Sequence, residues 1–377
     1  MIYLDNAATT FPKPDSVYVG MDKANREYAV NAGRGSYKAA RKAAKVIDNT
    51  RLLIRKLVAA DITADVVFAP SITVALNQVI KGVSWQNNDI VYVSPYEHNA
   101  VARTVNSLSN IKVIELPINK ETFEIDIEKM KYMFTKDRPK AVFCTHISNV
   151  TGYILPVEEV FSAAKEYDAI TVLDSAQSLG LVEVDSKKIG ADIIAFAGHK
   201  TLYGPLGIGG FINISNIPLN VVLTGGTGTD SLNLDMPEKG AAKYESSSFN
   251  IAAIAGLYEA LKCLDVDENN RHEKALTDYL VDNLNNIKNL TCYVPVNRNK
   301  HIGILSFVIH GYKSDDVGMI LDEDYDIAVR TGYHCAPYIH KYLNDKEYLG
   351  TIRIGVSRFN SKEDVEQLIK SIKELIR

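Results

Sequence analysis

Long apolar runs are missing from this chain: none reaches the roughly 18 residues a membrane-spanning helix needs, which argues against a helical membrane protein. The N-terminus, "MIYLDNAATTFPKP", has neither a cationic start nor an apolar stretch behind it, which argues against a secretory signal. Excess charge of one sign is absent as well. The 42 Lys and Arg residues against 46 Asp and Glu leave a net charge of −4 with no basic run, so neither nucleic acid nor an anionic membrane surface is an expected partner. The four cysteines, Cys144, Cys263, Cys292 and Cys335, show no metal-ligand or disulfide spacing. That pattern suits a cytoplasmic protein with reduced thiols and no metal. Repeats and low-complexity tracts are missing. So is G-x-G-x-x-G between a strand and a helix, because "GPLGIGG" leads into the strand-like "FINI" and thus gives no dinucleotide fingerprint.

What is present is a globular chain of 377 residues, 46% of them apolar, enough for two or three domains with sizeable cores. Between about residues 65 and 214, β-rich runs alternate with helix-like ones. "DVVF", "DIVYVS", "IKVIELPI", "KAVFCTHIS", "AITVLD", "DIIAFA" and "GGFINI" read as strands. "SITVALNQVIKGV" and "PVEEVFSAAKEYD" read as helices, the second opening on Pro156 with Glu158 and Glu159 in its first turn. Such alternation predicts an α/β fold with a mostly parallel sheet, whose ligands bind beyond the carboxyl ends of the strands. Residues 215–248 lack a period and read as a long loop, a common home of function. Two helical stretches follow, then "LTCYVP", "ILSFVIH" and "IAVRTG" as strands of a smaller α+β unit. Ser361 and Asp364 are spaced as a capping box for the last helix.

Several residues are candidates for chemistry. Asp174 ends an apolar strand, and Lys200 follows the end of another in "AFAGHKTLYGPLGIGG". A carboxylate and an amine at two strand ends can serve pyridoxal phosphate, the lysine bonding its aldehyde and the acid holding its ring nitrogen protonated. They can equally be a turn aspartate and a surface lysine. Ser71, Ile72 and Thr73 open a helix, where free N–H groups and a hydroxyl suit a phosphate; the alternative is an ordinary N-cap by Ser71. His199 could add a phosphate donor, and His98 could stack on a flat ring, or either could be structural. Cys335, in "VRTGYHCAP", sits in a polar loop where a charged His334 would favour the thiolate. The other three cysteines fall in apolar runs and read as core. Arg353, alternating with apolar residues in "GTIRIGVSR", is either a carboxylate clamp or an edge-strand charge.

Taken together, "YLDNAATT", "SNVTG", "LDSAQ", "GHKTLYGPLGIGG" and "VRTGYHCAP", in this order over nearly the whole chain, resemble the class V aminotransferase family, fold type I of the pyridoxal phosphate enzymes. More narrowly they are similar to group II cysteine desulfurases and selenocysteine lyase-like proteins. The resemblance implies a large domain at 15–255 with a seven-stranded, mostly parallel sheet, and a small α+β domain formed by 1–14 and 256–377. Lys200 then matches the Schiff-base lysine, Asp174 the partner of the ring nitrogen, Gln177 the donor to the ring hydroxyl and His98 the stacking histidine. Ile72, Thr73 and His199 match phosphate ligands, and Ser248 in "YESSSFN" matches a residue that reaches the phosphate of a neighbouring subunit in a homodimer. Asn149 and Arg353 match holders of the substrate carboxylate, and Cys335 matches the cysteine that receives sulfur. Ser71 and Val74 stand where the family has Gly and Glu, and Ala197 where it often has a hydroxyl.

The activity so implied converts L-cysteine to L-alanine. Freed Lys200 takes the Cα proton, and sulfur passes to Cys335 as a persulfide, then to an acceptor protein in sulfur metabolism such as iron–sulfur cluster assembly. The alternatives are a selenocysteine lyase or another class V enzyme, a transaminase, β-lyase or epimerase-like protein, in which Cys335 is incidental.

Overall fold

The computed structural model describes residues 1–33, 35–228 and 232–376. Short apolar segments build a seven-stranded sheet, a four-stranded sheet and a two-stranded pair among the described residues. The first strand, β1 (Ile2–Tyr3), stands outside the larger one. That larger sheet comprises β2 (Asp65–Ala69), β3 (Asp89–Val93), β4 (Ile111–Glu115), β5 (Ala141–Thr145), β6 (Ile170–Asp174), β7 (Ile193–Ala197) and β8 (Gly209–Asn213). These are the seven runs expected from the sequence, in the order β2-β8-β7-β6-β5-β3-β4. Strand β8 runs antiparallel to both its neighbours and the remaining pairings are parallel. Every residue of β5 and β7 is buried, as expected of strands covered by helices on both faces.

Two glycines allow β8 to fit. A Cβ on Gly210 would stand 2.1 Å from the Val67 carbonyl oxygen, and one on Gly209 would stand 2.7 Å from Ile72 N. The glycines after Lys200 therefore serve close packing of backbone on backbone, with β8 wedged between β2 and β7 and against the start of the helix Ile72–Gly82.

The smaller sheet contains β9 (Leu290–Tyr293), β10 (Ile304–Ile309), β12 (Arg330–Gly332) and β13 (Thr351–Gly355), antiparallel in the order β12-β13-β10-β9. Leu276, Leu280, Phe307, Ile352, Ile354 and Leu368 form its core beneath the helices Val266–Leu284 and Lys362–Leu375. Ser361 and Asp364 make the reciprocal bonds of a capping box. Strand β1 pairs in parallel with β11 (Ile327–Ala328), and Gly355 N–H donates to the Leu4 carbonyl at 2.7 Å. The first residues of the chain thus join the elements formed by the last. Residue 255 lies inside the continuous helix Ile251–Lys262. Among the described residues of 215–248, one short 3-10 turn forms at Ala241–Lys243, so this stretch is the long loop expected.

One of the cysteines expected in the core is not there. Cys144 is buried in β5 and half-buried Cys292 packs against the core of the smaller sheet, but Cys263 is exposed where the helix Ile251–Lys262 ends. An apolar sequence neighbourhood marks the helix, but the face a residue takes within it depends on phase.

A buried carboxyl links the turn after Lys200 to the C-terminal elements. Tyr203 Oη donates to Glu273 Oε1 at 2.9 Å, and Arg358 N–H donates to Tyr203 Oη at 2.9 Å. Burial pushes the Glu273 pKa up to about 8, against the lowering effects of Tyr203 and Arg358. A raised acid pKa in the folded state contributes stability that is fully present below the unfolded value and is lost as pH rises through about 8. Thermal melts recorded across this range are expected to fall less steeply for Glu273→Gln than for the native chain. Parallel curves would show that this carboxyl does not titrate on unfolding.

Candidate active site

The carboxyl ends of the parallel strands place the candidate residues side by side. Asp174 is the last residue of β6 and is buried. Its Oδ1 accepts Ala176 N–H at 2.9 Å. Burial raises its pKa, and the Ala176 N–H and the Lys200 charge pull it back. Lys200 follows β7 in the turn Gly198–Tyr203, closed by Tyr203 N–H donating to the Lys200 carbonyl at 2.8 Å. Burial lowers its pKa to about 8; Asp174 opposes this, Arg353 and Arg330 add to it, and Cys335 opposes it. Asp174, Arg353 and Cys335 thus all lie within electrostatic reach of Lys200.

His98 caps the helix Asn99–Asn106, its Nδ1 accepting Ala100 N–H at 3.0 Å. Burial, then Lys200, Arg353, Arg330 and Arg103, drive its pKa down to about 3. The ring is therefore neutral, with its proton on Nε2. Behind it, Glu97 is fully buried; Ser94 Oγ donates to its Oε1 at 2.5 Å and Thr145 N–H at 2.6 Å. Burial and the nearby Asp174 push its pKa up to about 8, so Glu97 stays protonated and leaves Asp174 as the anion of the pair.

His199 is half-buried and neutral, its pKa lowered to about 4 by burial and then by Lys200 and Lys13. Its Nδ1 is buried without a partner. Lys13 Nζ donates to Thr10 Oγ1 at 2.6 Å and to the His199 carbonyl at 2.8 Å, and burial lowers its pKa to about 7. Gln177 is buried and donates to the Ala7 carbonyl at 2.8 Å. Ser71 caps the helix Ile72–Gly82 through Val74 N–H at 3.3 Å, so the N-cap reading holds; Ile72 is buried and Thr73 is exposed. Ser248 is exposed and, with Pro70, Val74 and Gly207, lines an open cavity of about 620 Å³.

Arg353 lies on β13, an interior strand, and is buried, so it is not an edge charge. Its guanidinium donates to the Asn149 carbonyl at 3.0 Å and to Asp5 Oδ1 at 2.8 Å, while its Nε has no partner. Burial draws its pKa down, and Asp5 partly restores it. Asn149 Nδ2 in turn donates to the His334 carbonyl at 2.7 Å, and Asn99 N–H donates to the Cys335 carbonyl at 2.7 Å. Cys335 is exposed, and it and His334 both have left-handed backbone, with φ of 57° and 47°. A charged His334 beside the thiol is not what forms. Burial, with Arg353, His340 and Arg330 nearby, holds His334 well below the usual histidine range, and its Nε2 lies 2.8 Å from Thr351 Oγ1.

Sequence reasoning missed Asp5, Lys13 and Glu97. Asp5 and Lys13 lie in "YLDNAATTFPKP" and Glu97 in "YEHNA", stretches already singled out. Their signal was membership of those motifs.

Residues 2–368 match the model of the aminotransferase class-V family. The chain belongs to this family. A protein of Methanothermobacter thermautotrophicus named "Probable cysteine desulfurase" is 31% identical over 390 residues, spanning 99% of this chain and 94% of its own. One of the same name from Halalkalibacterium halodurans is 32% identical over 389 residues, spanning 99% and 93%. A solved apo structure of a cysteine desulfurase from Thermococcus onnurineus superposes with a TM-score of 0.91 at 30% identity, over 99% of this chain and 94% of that one. The class V family works with pyridoxal 5'-phosphate. The residues present fit it: a buried acid, an amine of lowered pKa, a neutral imidazole, and an unpartnered buried nitrogen on His199 beside the amine.

Arg353 is the buried cation on which Asp5, Asn149 and the Cys335 turn converge. Replacing it by glutamine is expected to lower stability by about 3 kcal/mol in urea denaturation, the low end for a broken buried pair, because Asp5 keeps some water contact. A loss within experimental error would show that Asp5 finds full solvation without it.

Proposed function

We infer that the protein is a pyridoxal 5'-phosphate-dependent cysteine desulfurase, converting L-cysteine to L-alanine and passing the sulfur to Cys335. The observation that carries this reading is the placement of an exposed cysteine, on a turn tied to Asn149 and Asn99, within electrostatic reach of Lys200. In a transaminase or epimerase nothing would require a thiol there.

Each residue has a role that its environment supports. Lys200 holds the cofactor aldehyde, and its lowered pKa suits an amine that must also move a proton at the substrate Cα. Asp174, kept ionised beside protonated Glu97, accepts the hydrogen of the cofactor ring nitrogen. The bound cofactor supplies an electron sink for the bonds at the substrate Cα. Neutral His98 presents a flat face and an Nε2–H to the ring, and the free N–H of the Gln177 amide serves the ring hydroxyl. The main chain at Ile72, the Thr73 hydroxyl and His199 take the phosphate, joined by Ser248 from a second copy in a homodimer. Ala197 offers no hydroxyl to that set. Arg353 and Asn149 hold the substrate carboxylate, the unpartnered Arg353 Nε being one donor available.

The Cys335 thiolate bonds to the substrate sulfur as the substrate Cβ–S bond breaks. The electron pair of that bond stays with the carbon skeleton, which takes up a proton and leaves as L-alanine, while Cys335 retains the persulfide. An acceptor protein then reduces the load on Cys335 by taking the terminal sulfur. We place the large domain at 15–255 and the small one at 1–14 with 256–377, joined within the helix Ile251–Lys262, and the protein in the cytoplasm. Among the described residues no helix is long and apolar enough to cross a membrane.

Lys200→Ala is expected to abolish the visible absorbance of the covalently held cofactor. Cys335→Ser is expected to keep that absorbance and to lower sulfide release from L-cysteine by about a hundredfold or more. Undiminished sulfide and alanine production by the serine variant would remove the persulfide step. Parallel assays with L-selenocysteine and with α-keto acids separate the lyase and transaminase alternatives.

A further inference from the structure

A buried pair that takes no part in the chemistry above holds the Cys335 turn from behind. The His340 side chain is 6% exposed and that of Asp345 is 1% exposed. His340 Nε2 lies 2.9 Å from the Tyr333 carbonyl oxygen, and Nδ1 is in close contact with Asp345 Oδ2. A carbonyl can only accept, so Nε2 carries a hydrogen. The contact between Nδ1 and the carboxyl oxygen requires another. The pair therefore holds one proton more than a neutral imidazole beside an ionised carboxylate. Asp345 Oδ1 is buried and has no partner, so no other donor satisfies this acid.

The carbonyl that His340 grips is the hinge of the thiol's turn. Ala336 N–H also donates to the Tyr333 oxygen, at 3.1 Å, closing the turn over His334 and Cys335. Consecutive left-handed backbone is unfavourable for residues with a Cβ, so this turn persists only while its carbonyls are held. Asn149 holds that of His334 and Asn99 that of Cys335. His340 holds the third.

We propose that His340 and Asp345 are positioning residues for Cys335: the proton they share locks the Tyr333 carbonyl and so fixes the thiol in place. The inference rests on the desulfurase reading only in giving Cys335 a task that needs a fixed position. Once the proton is gone, either Nδ1 faces Oδ2 or Nε2 faces the carbonyl as acceptor against acceptor, and one contact fails.

The pair is enclosed on one side and borders a cavity on the other. On the inner side stand the neutral ring of His334, with centroids 6.1 Å apart, the Tyr333 ring at 5.1 Å, and Tyr293 near Asp345; Arg353 and Arg330 act on His334. On the outer side Arg103, Lys341 and Lys346 line an open cavity of about 650 Å³ together with Cys335 and His340. Lys341 is paired with Glu115.

Asp345→Asn separates the proton from the packing. An amide at that position donates to Nδ1 while Nε2–H keeps the Tyr333 carbonyl, so both contacts survive without an extra proton. Hydrogen exchange of peptides covering the Ala336 and Asn99 amides, and iodoacetamide labelling of Cys335, are measured on the holoenzyme at neutral pH. Asp345→Asn should keep the protection of the native protein, and His340→Ala should lose about tenfold of it and label about tenfold faster. In His340→Ala the sulfide turnover number should fall while the cofactor absorbance stays. Unchanged protection and labelling in His340→Ala, or the same loss in Asp345→Asn, overturns the proposal. If the native protein releases no sulfide yet shows these exchange and labelling patterns, the desulfurase reading fails and the positioning role stands.

Discussion

Setting a half-buried amine and a buried carboxyl together at the end of a parallel sheet takes water from around both. Lys200 is thereby made easier to deprotonate and Asp174 easier to protonate, and the attraction between them works against each shift. Glu97, pushed up to about 8 by burial and by the nearby Asp174, keeps its proton at neutral pH, while the Ala176 N–H and the Lys200 charge favour the ionised form of Asp174. Most of the site depends on this arrangement. An ionised Asp174 is what a pyridinium nitrogen needs, and an amine with pKa near 8 can both bond an aldehyde and exchange protons at neutral pH.

The small sheet contributes the other half through one cation. Arg353 projects from β13, bonds Asp5 from the start of the chain, and meets the Asn149 carbonyl at the end of the large sheet's β5 loop. Asn149 then grips the turn that carries Cys335. Three segments distant in sequence are thus fixed relative to Lys200 by groups that are nearly or fully out of water, where hydrogen bonds to a charge are strongest. The burial that neutralises His98, His199 and His334 has the same origin, and it leaves the cations around the site to Lys200 and the arginines.

Much of this was legible in the sequence, and the residues show why. All seven large-sheet strands were visible as apolar runs because both faces of such a sheet are covered. Asp174 and Lys200 could be paired because strand ends in a parallel sheet share one edge. The capping box at Ser361 is a local pattern and was found as one. Misreadings occurred where the answer lay outside the local window. Cys263 sits among apolar residues yet faces solvent, and His334 looked like a cation but is buried beside arginines. Arg353 could be a clamp or an edge charge until the strand order put β13 in the interior.

The sequence by itself determined the element order and the family, and it singled out Lys200, Asp174 and Cys335 as candidates, because periodicity and motif order are properties of neighbouring residues. Only the tertiary structure decided which groups lose their water and which distant groups meet. Protonation of Glu97, neutrality of His98 and the grip of His340 and Asp345 on the Cys335 turn all follow from burial and long-range contact, and neither quantity is written in any short stretch of chain.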